Sequence, residues 1–276
     1  MNRSGWVYKV LHNINLQRLK IKHSFTRSHL ENWYRKSDYP KRIRKFKNTH
    51  RGERCFIIGN GPSLTSSDLD MLVNEVSFSC NKIYRVLDST KWRPYYYVVD
   101  DTGYVTNDYV NIKNVPSIAS FIAVEYEKNK VMPYLDSTVN ILIKKTKLDN
   151  MIPRWNLDIE QYIGSGHSVT FVMAQLAIYM GFKEIYFLGQ DCSTLPDNAH
   201  FYGDGNMELS DNDLNNFIYA FYAIRDLAEE NKVKVYNATR GGKLELFERK
   251  DLDELFMADN IRKDAEIVKP YDPSNN

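Results

Sequence analysis

The sequence predicts an α/β protein, a mostly parallel sheet with helices on both faces, preceded by a basic helical arm. Two observations carry this class. Short apolar runs that end in Gly, Asn or Asp alternate with longer stretches at helical spacing, and such alternation builds parallel sheets. The clearest helix, "GHSVTFVMAQLAIYMG", leads at once into another apolar run, "KEIYFLGQD". At 276 residues, with no internal repeat or low-complexity tract, the chain can bury a core in one or two domains.

The elements follow in order. "CFIIGN" reads as a short buried strand, and "SSDLDMLVNE" as a helix opened by Ser and Asp caps. "VSFSCN" is a second strand and "YYYVVDD" a third, ending in two carboxylates. "VPSIASFIAV" and "VNILIKK" are further strands. Ser168 caps the clear helix and Gly181 stops it; "KEIYFLGQD" is then a strand ending at Asp191. "DNDLNNFIYAFYAIRDLAEEN" is a long amphipathic helix, and "VKVYNAT" the last strand. The expected organisation is an arm over 1–50, a catalytic domain over 51–256 with a peripheral helix "LDELFMADNI" at its end, and a tail over 257–276.

Composition narrows the function classes. The chain is 43% apolar, and its nineteen tyrosines suit either strand packing or a cleft for sugar or base. Cys55, Cys80 and Cys192 are odd in number and lack CxxC spacing. A disulfide framework and a zinc site are therefore not expected, and a reducing cytoplasm is. No apolar run of about 18 residues is present, and the N-terminus has no uninterrupted apolar stretch of the signal-peptide kind. The net charge of +2 hides an asymmetry: residues 1–54 hold 15 Lys/Arg against 3 Asp/Glu, whereas the remainder is acidic. "KVLHNINLQRLKIKHSF" mixes aliphatic and basic residues at roughly helical spacing. That pattern suits an anionic membrane surface, and equally a helix packed on the body or on a partner chain. No basic groove or motif for nucleic acid is visible.

In open α/β sheets ligands sit at the carboxyl ends of the strands. Four such ends are polar here: Gly59-Asn60-Gly61, Cys80-Asn81, Asp100-Asp101 and Gly189-Gln190-Asp191. "GNGPSL" lacks the third glycine of a dinucleotide fingerprint and the Gly-Lys-Ser/Thr of a P-loop. A tight turn alone needs Gly59 and Gly61 but not Asn60 and Ser63, so a ligand loop is expected, its free N–H groups meeting a phosphate. Ser168 and Thr170 open the clear helix, whose N-terminus attracts anions. The loop "DNAHFYGDGN" holds His200 and Asp204, either a surface pair or a base acting on a substrate hydroxyl. Asp100, Asp101 and Asp191 show no metal-binding spacing, and hydrogen bonds to ribose or base account for them as well. No metal or other cofactor is expected.

"FIIGNGPSL", "SFSCNKIY", "FVMAQLAIYMGFKEIYFLGQD" and "YNATRGGKLELF" resemble the MptE-like domain family of bacterial surface-polysaccharide loci. They are also similar to the metal-independent bacterial sialyltransferases, over about residues 50–256. The resemblance implies a Rossmann-like, GT-A-like nucleotide domain with a lid. It implies inverting transfer of a sugar from a nucleotide sugar, a CMP-sugar in that family, to a glycan hydroxyl. Asn60 and Asn81 would then contact the nucleotide and the donor's phosphate or sugar. Gly189 and Asp191 would hold ribose or cytosine, and Ser168 to Thr170 would contact the donor. "HFYGDG" stands where that family has "HYIGHS", whose second histidine is the base. The matching position here is Asp204, which leaves His200 first and Asp204 second for that role. Cys192 and Ser193 stand where a tyrosine would steady the departing phosphate, so Tyr202 or a basic residue would have to replace it.

Such a protein would work at the inner face of the cell membrane on a glycan or lipid-linked glycan. Two other functions fit the same residues. The family takes its name from a pterin diphosphokinase, for which ATP and magnesium would occupy Asp100, Asp101 and Asp191. The other is a non-catalytic nucleotide-fold module docked by the basic arm.

Overall fold

The computed structural model of the chain describes residues 28–101, 104–105, 108–124, 138–145, 148–149, 151–192, 200–201 and 211–258. Two short helices, α1 (residues 28–36) and α2 (Tyr39–Arg44), come first. Then follow β1 (Arg54–Ile58), α3 (Ser66–Met71), β2 (Ser77–Cys80), a 3-10 segment (Asn81–Ser89) and β3 (Tyr96–Val99). Next are α4 (Tyr109–Lys113), β4 (Ala119–Val124) and β5 (Thr138–Lys145). A small antiparallel pair, β6 (Leu148–Asp149) and β7 (Ile152–Pro153), precedes β8 (Ile163–Ser165), α5 (Val169–Met180) and β9 (Glu184–Leu188). The described chain ends with α6 (Asp211–Glu230), β10 (Lys234–Asn237), β11 (Glu248–Arg249) and α7 (residues 252–258).

Nine strands form one sheet in the order β11-β10-β9-β1-β2-β3-β4-β5-β8, and every pairing in it is parallel. The chain winds outward from β1 to β8 and then returns to lay β9 against the other side of β1. The strand order therefore reverses between β1 and β9, the position at which open α/β sheets open a crevice. This is a Rossmann-like α/β fold.

Strand alternation sorts the side chains into two cores. Cys55 and Ile57 of β1, Tyr96 and Val98 of β3, and Ile185 and Phe187 of β9 face α1, α2, α5 and α6. Phe56 and Ile58, Tyr97 and Val99, and Tyr186 and Leu188 face α3, the 3-10 segment, α4 and α7. Helix α5 is buried from Thr170 to Met180, as a helix apolar all round must be. Ser168 caps it, accepting from the Thr170 N–H at 3.2 Å, and Gly181 ends it at φ 93°.

The basic run divides. Residues 28–50, which charge alone assigns to the arm, pack on the sheet because Leu30, Tyr34 and Ile43 are buried in the first core. The Tyr34 hydroxyl donates to the Asn140 carbonyl at 3.1 Å, and His50 Nε2 lies 2.7 Å from the Tyr96 hydroxyl. Residues 1–27 and the tail after 258 lie outside the described residues.

Helix α3 is fixed by a capping box between Thr65 and Asp68. Asp68 is 2% exposed and also accepts from Arg240 Nε at 2.6 Å, while Arg240 grips Asp253 at 2.8 and 2.9 Å. Asp68→Ala removes the carboxylate half of the capping box and one ion-pair partner together, and is expected to lower stability by about 2 kcal/mol in a denaturant titration.

Candidate functional site

The two loops at the reversal are built on each other. The Gly59 N–H donates to the Leu188 carbonyl at 2.8 Å, and the Gly61 N–H to the Gly189 carbonyl at 2.9 Å. A Cβ on Gly59 would stand 2.4 Å from the Gly189 oxygen, and one on Gly61 would stand 1.8 Å from Asp191 Oδ2. Both glycines are therefore required by the β9 loop. Ser63 completes the joint: its N–H and hydroxyl donate to Asp191 Oδ1 and Oδ2 at 3.2 and 2.9 Å. The Leu64 N–H donates back to the Gly61 carbonyl at 3.1 Å.

This corrects the phosphate-cradle expectation for Gly59–Ser63. The N–H groups of Gly59, Gly61 and Ser63 are spent on the β9 loop, so they are not free for an anion. Ser63 itself does not line the cleft; it holds Asp191.

A cleft of about 690 Å³ opens at the carboxyl ends of the strands. Gly59, Asn60, Gly61, Asn81, Asp100, Ser168, Thr170, Gly189, Asp191 and His200 all line it. His200 is half-buried, and the next residue ties it to the first loop, since the Phe201 N–H donates to the Asn60 carbonyl at 2.9 Å. Asp204, Tyr202 and Ser193 lie outside the described residues.

Several lining residues escape the sequence reading. Lys145 ends β5, and the strand-end rule that found Asn60 and Asn81 would have found it too. Gln190 stands inside a strand end already singled out, but an amide between Gly and Asp carries no motif. His167 and Tyr104 also reach the cleft, with Phe217 and Phe221 of α6 closing one side.

Three buried amide atoms of this cleft have no hydrogen-bond partner: Asn60 Oδ1, Asn81 Oδ1 and Gln190 Nε2. The Asn60 amide nitrogen is engaged, donating to the Cys80 carbonyl at 3.3 Å, which aims Oδ1 away from it. Buried polar groups are almost always paired in a folded protein, and an unmade bond costs about 1–3 kcal/mol. Backbone strain gathers in the same place. Asn81, His167 and Cys192 have φ of 48°, 63° and 48°, the left-handed region that side-chain-bearing residues rarely enter.

Burial, and the neighbouring Asp101 carboxylate, raise the Asp100 carboxyl to about 6. Burial also raises Asp191, against the lowering effect of its two bonds from Ser63. Burial pushes the Cys192 thiol up to about 12, so it is not a thiolate nucleophile at neutral pH. The folded state holds the Asp100 proton to higher pH than the unfolded chain, so this group's contribution falls as pH rises from about 4 through 6. Asp100→Asn is accordingly expected to raise the thermal midpoint at pH 8 and leave it nearly unchanged at pH 4. Among the described residues no group of three or more His, Cys, Asp and Glu is arranged to hold a metal ion.

A family model described as 6-hydroxymethylpterin diphosphokinase MptE-like matches residues 27–197. Among solved structures, the MAf glycosyltransferase from Magnetospirillum magneticum AMB-1 is similar at a TM-score of 0.51 and 15% identity. That likeness covers 82% of this chain but only 41% of the other, and it shows a shared fold. The sialyltransferase CstII from Campylobacter jejuni, in complex with cytidine-5'-monophosphate, aligns at a TM-score of 0.43 and 15% identity, over 72% of this chain and 85% of its own. No curated protein matches the sequence.

Proposed function

The chain belongs to the 6-hydroxymethylpterin diphosphokinase MptE-like family, and from that premise and its cleft we propose that it is a glycosyltransferase. It moves a sugar with inversion from a nucleotide sugar to a glycan hydroxyl in surface-polysaccharide synthesis. The observation that carries this is the set of unpartnered amides, Asn60 Oδ1, Asn81 Oδ1 and Gln190 Nε2, beside the strand-order reversal. The two asparagine oxygens suit ligand hydroxyls, which donate to them, and the glutamine nitrogen suits an acceptor on the same ligand. The CMP form of the donor rests on the motif likeness to the sialyltransferases.

In such a transfer the acceptor oxygen bonds to the anomeric carbon from the face opposite the nucleotide. The bond from that carbon to the phosphate oxygen breaks, and its electron pair leaves with the phosphate. A base takes the acceptor's proton. His200, which faces the cleft, is the first candidate for that proton, and Asp204 the second. The reaction as proposed uses no metal or other cofactor.

The diphosphokinase function keeps one observation in its favour besides the family description: two adjacent carboxylates, Asp100 and Asp101, end β3 at the cleft. Carboxylates of this kind bind magnesium together with substrate phosphates. Product analysis separates the two. The transferase releases CMP from a CMP-linked sugar in the presence of a chelator. AMP formed from ATP only with magnesium would move the diphosphokinase first.

The basic arm is proposed to dock this enzyme on the inner face of the cell membrane. Arg35, Lys36, Lys41, Lys45 and Lys47 are exposed, as is Trp33 at 36%. Among the described residues no helix is long and apolar enough to cross a membrane. The full chain is expected to sediment with vesicles containing phosphatidylserine and to be released by salt. Equal sedimentation with neutral vesicles would contradict an electrostatic dock.

A further inference from the structure

We infer that Gln190 is the group that donates to the nucleotide's phosphate oxygen, an inference that rests on the transferase function proposed above. The glycine loop is a poor source of donors, because the N–H groups of Gly59, Gly61, Ser63 and Leu64 all have protein acceptors. Gln190 stands over that loop. Its amide nitrogen and carbon lie 2.7 and 2.8 Å from where a Gly59 Cβ would be, so the amide rests on the bare face of the glycine.

Two further bonds hold it there. The Gln190 N–H donates to the Thr239 hydroxyl at 3.1 Å, and Oε1 accepts from the Thr170 hydroxyl at 3.3 Å. With the oxygen engaged, Nε2 is left buried with no protein acceptor, in a residue that lines the cleft. Thr170 lies in the first turn of α5, a helix of 12 residues, so this amide donates where the helix dipole already favours negative charge. Lys145 lines the same cleft. A fixed donor, a helix N-terminus and an ammonium group in one cleft suit a phosphate, and most of all one that gains charge as its bond to sugar breaks. Gln190 keeps its proton throughout; the electron pair of the breaking bond stays on the phosphate oxygen that it steadies. The acceptor atom on the ligand could instead be a carbonyl of the base, and the experiment separates these sources.

Calorimetric titration of the full chain with CMP and with cytidine, for wild type, Gln190→Ala and Gln190→Glu, tests the inference. Gln190→Ala is expected to weaken CMP about ten- to a hundredfold, the effect of one bond to a charged group. Gln190→Glu places a carboxylate against the phosphate and is expected to weaken CMP further. Cytidine binding stays at the wild-type value in both variants, which also shows that they are folded. Equal loss for CMP and cytidine would overturn the phosphate assignment in favour of the base or ribose. Unchanged CMP binding in folded Gln190→Ala would overturn the role of Gln190 while leaving the transferase standing. A wild-type protein that binds neither probe would overturn the inference together with the CMP form of the donor.

Discussion

Gly61→Ala is expected to lose stability and nucleotide binding together. Its new Cβ would stand 1.8 Å from Asp191 Oδ2 and 2.6 Å from the Gly189 carbonyl oxygen. One of these is backbone and cannot swing aside, and the other is the carboxylate that Ser63 holds in place. Relief requires the β1 and β9 loops to part, which breaks the Gly61–Gly189 bond of 2.9 Å as well. Overpacking of this kind costs about 1–3 kcal/mol, and the lost bonds add to it. Chemical denaturation gives the stability, and titration of the same sample with CMP gives the binding. A Gly61→Ala protein as stable as wild type would mean that the two loops are not locked as described.

His200→Ala is expected to leave the fold intact and remove most of the turnover. The side chain is half-buried at the cleft, and the neighbouring Phe201 N–H donates to the Asn60 carbonyl whatever residue 200 carries. Loss of a general base reduces kcat by about 10²–10⁴-fold, with KM for the donor little changed, because the proton moves only in the transition state. If His200→Ala keeps wild-type turnover and an Asp204→Asn protein loses it, the base is Asp204.

Much of the fold was legible because its central elements carry strong local signals. The β1 and β9 runs, "CFII" and "EIYFL", are apolar on both faces, as strands sandwiched between helices must be. Helix α5 announces itself with an N-cap serine and a C-terminal glycine. The edges of the sheet were not legible. β8 spans three residues and β11 two, each with a single neighbouring strand, and neither length supports a periodicity. The packed part of the basic run was masked by its charge, although Leu30 and Tyr34 stand four apart on one helix face.

At the site the strand-end rule brought Asn60, Asn81, Asp100 and Asp191 to one cleft. It failed on what the glycines are for. Gly59 and Gly61 look like places for a ligand, but the atoms that require them belong to Gly189, Gln190 and Asp191; the Ser63–Asp191 bond alone spans 128 residues of sequence. A contact that long-range leaves no local spacing to read. Gln190 escaped for the same reason, since its role depends on Thr170 and Thr239 from two other elements.

The central claim is that the cleft between β1 and β9 binds a nucleotide through its unpartnered amides. The most direct test is calorimetric titration of the purified chain with CMP, CDP, UDP, GDP and ATP, with and without magnesium, repeated on Asn60→Ala. The account predicts metal-independent binding of CMP, weakened by Asn60→Ala. Binding of ATP alone, and only with magnesium, would contradict the CMP-sugar transferase, and no binding of any nucleotide would contradict the claim itself.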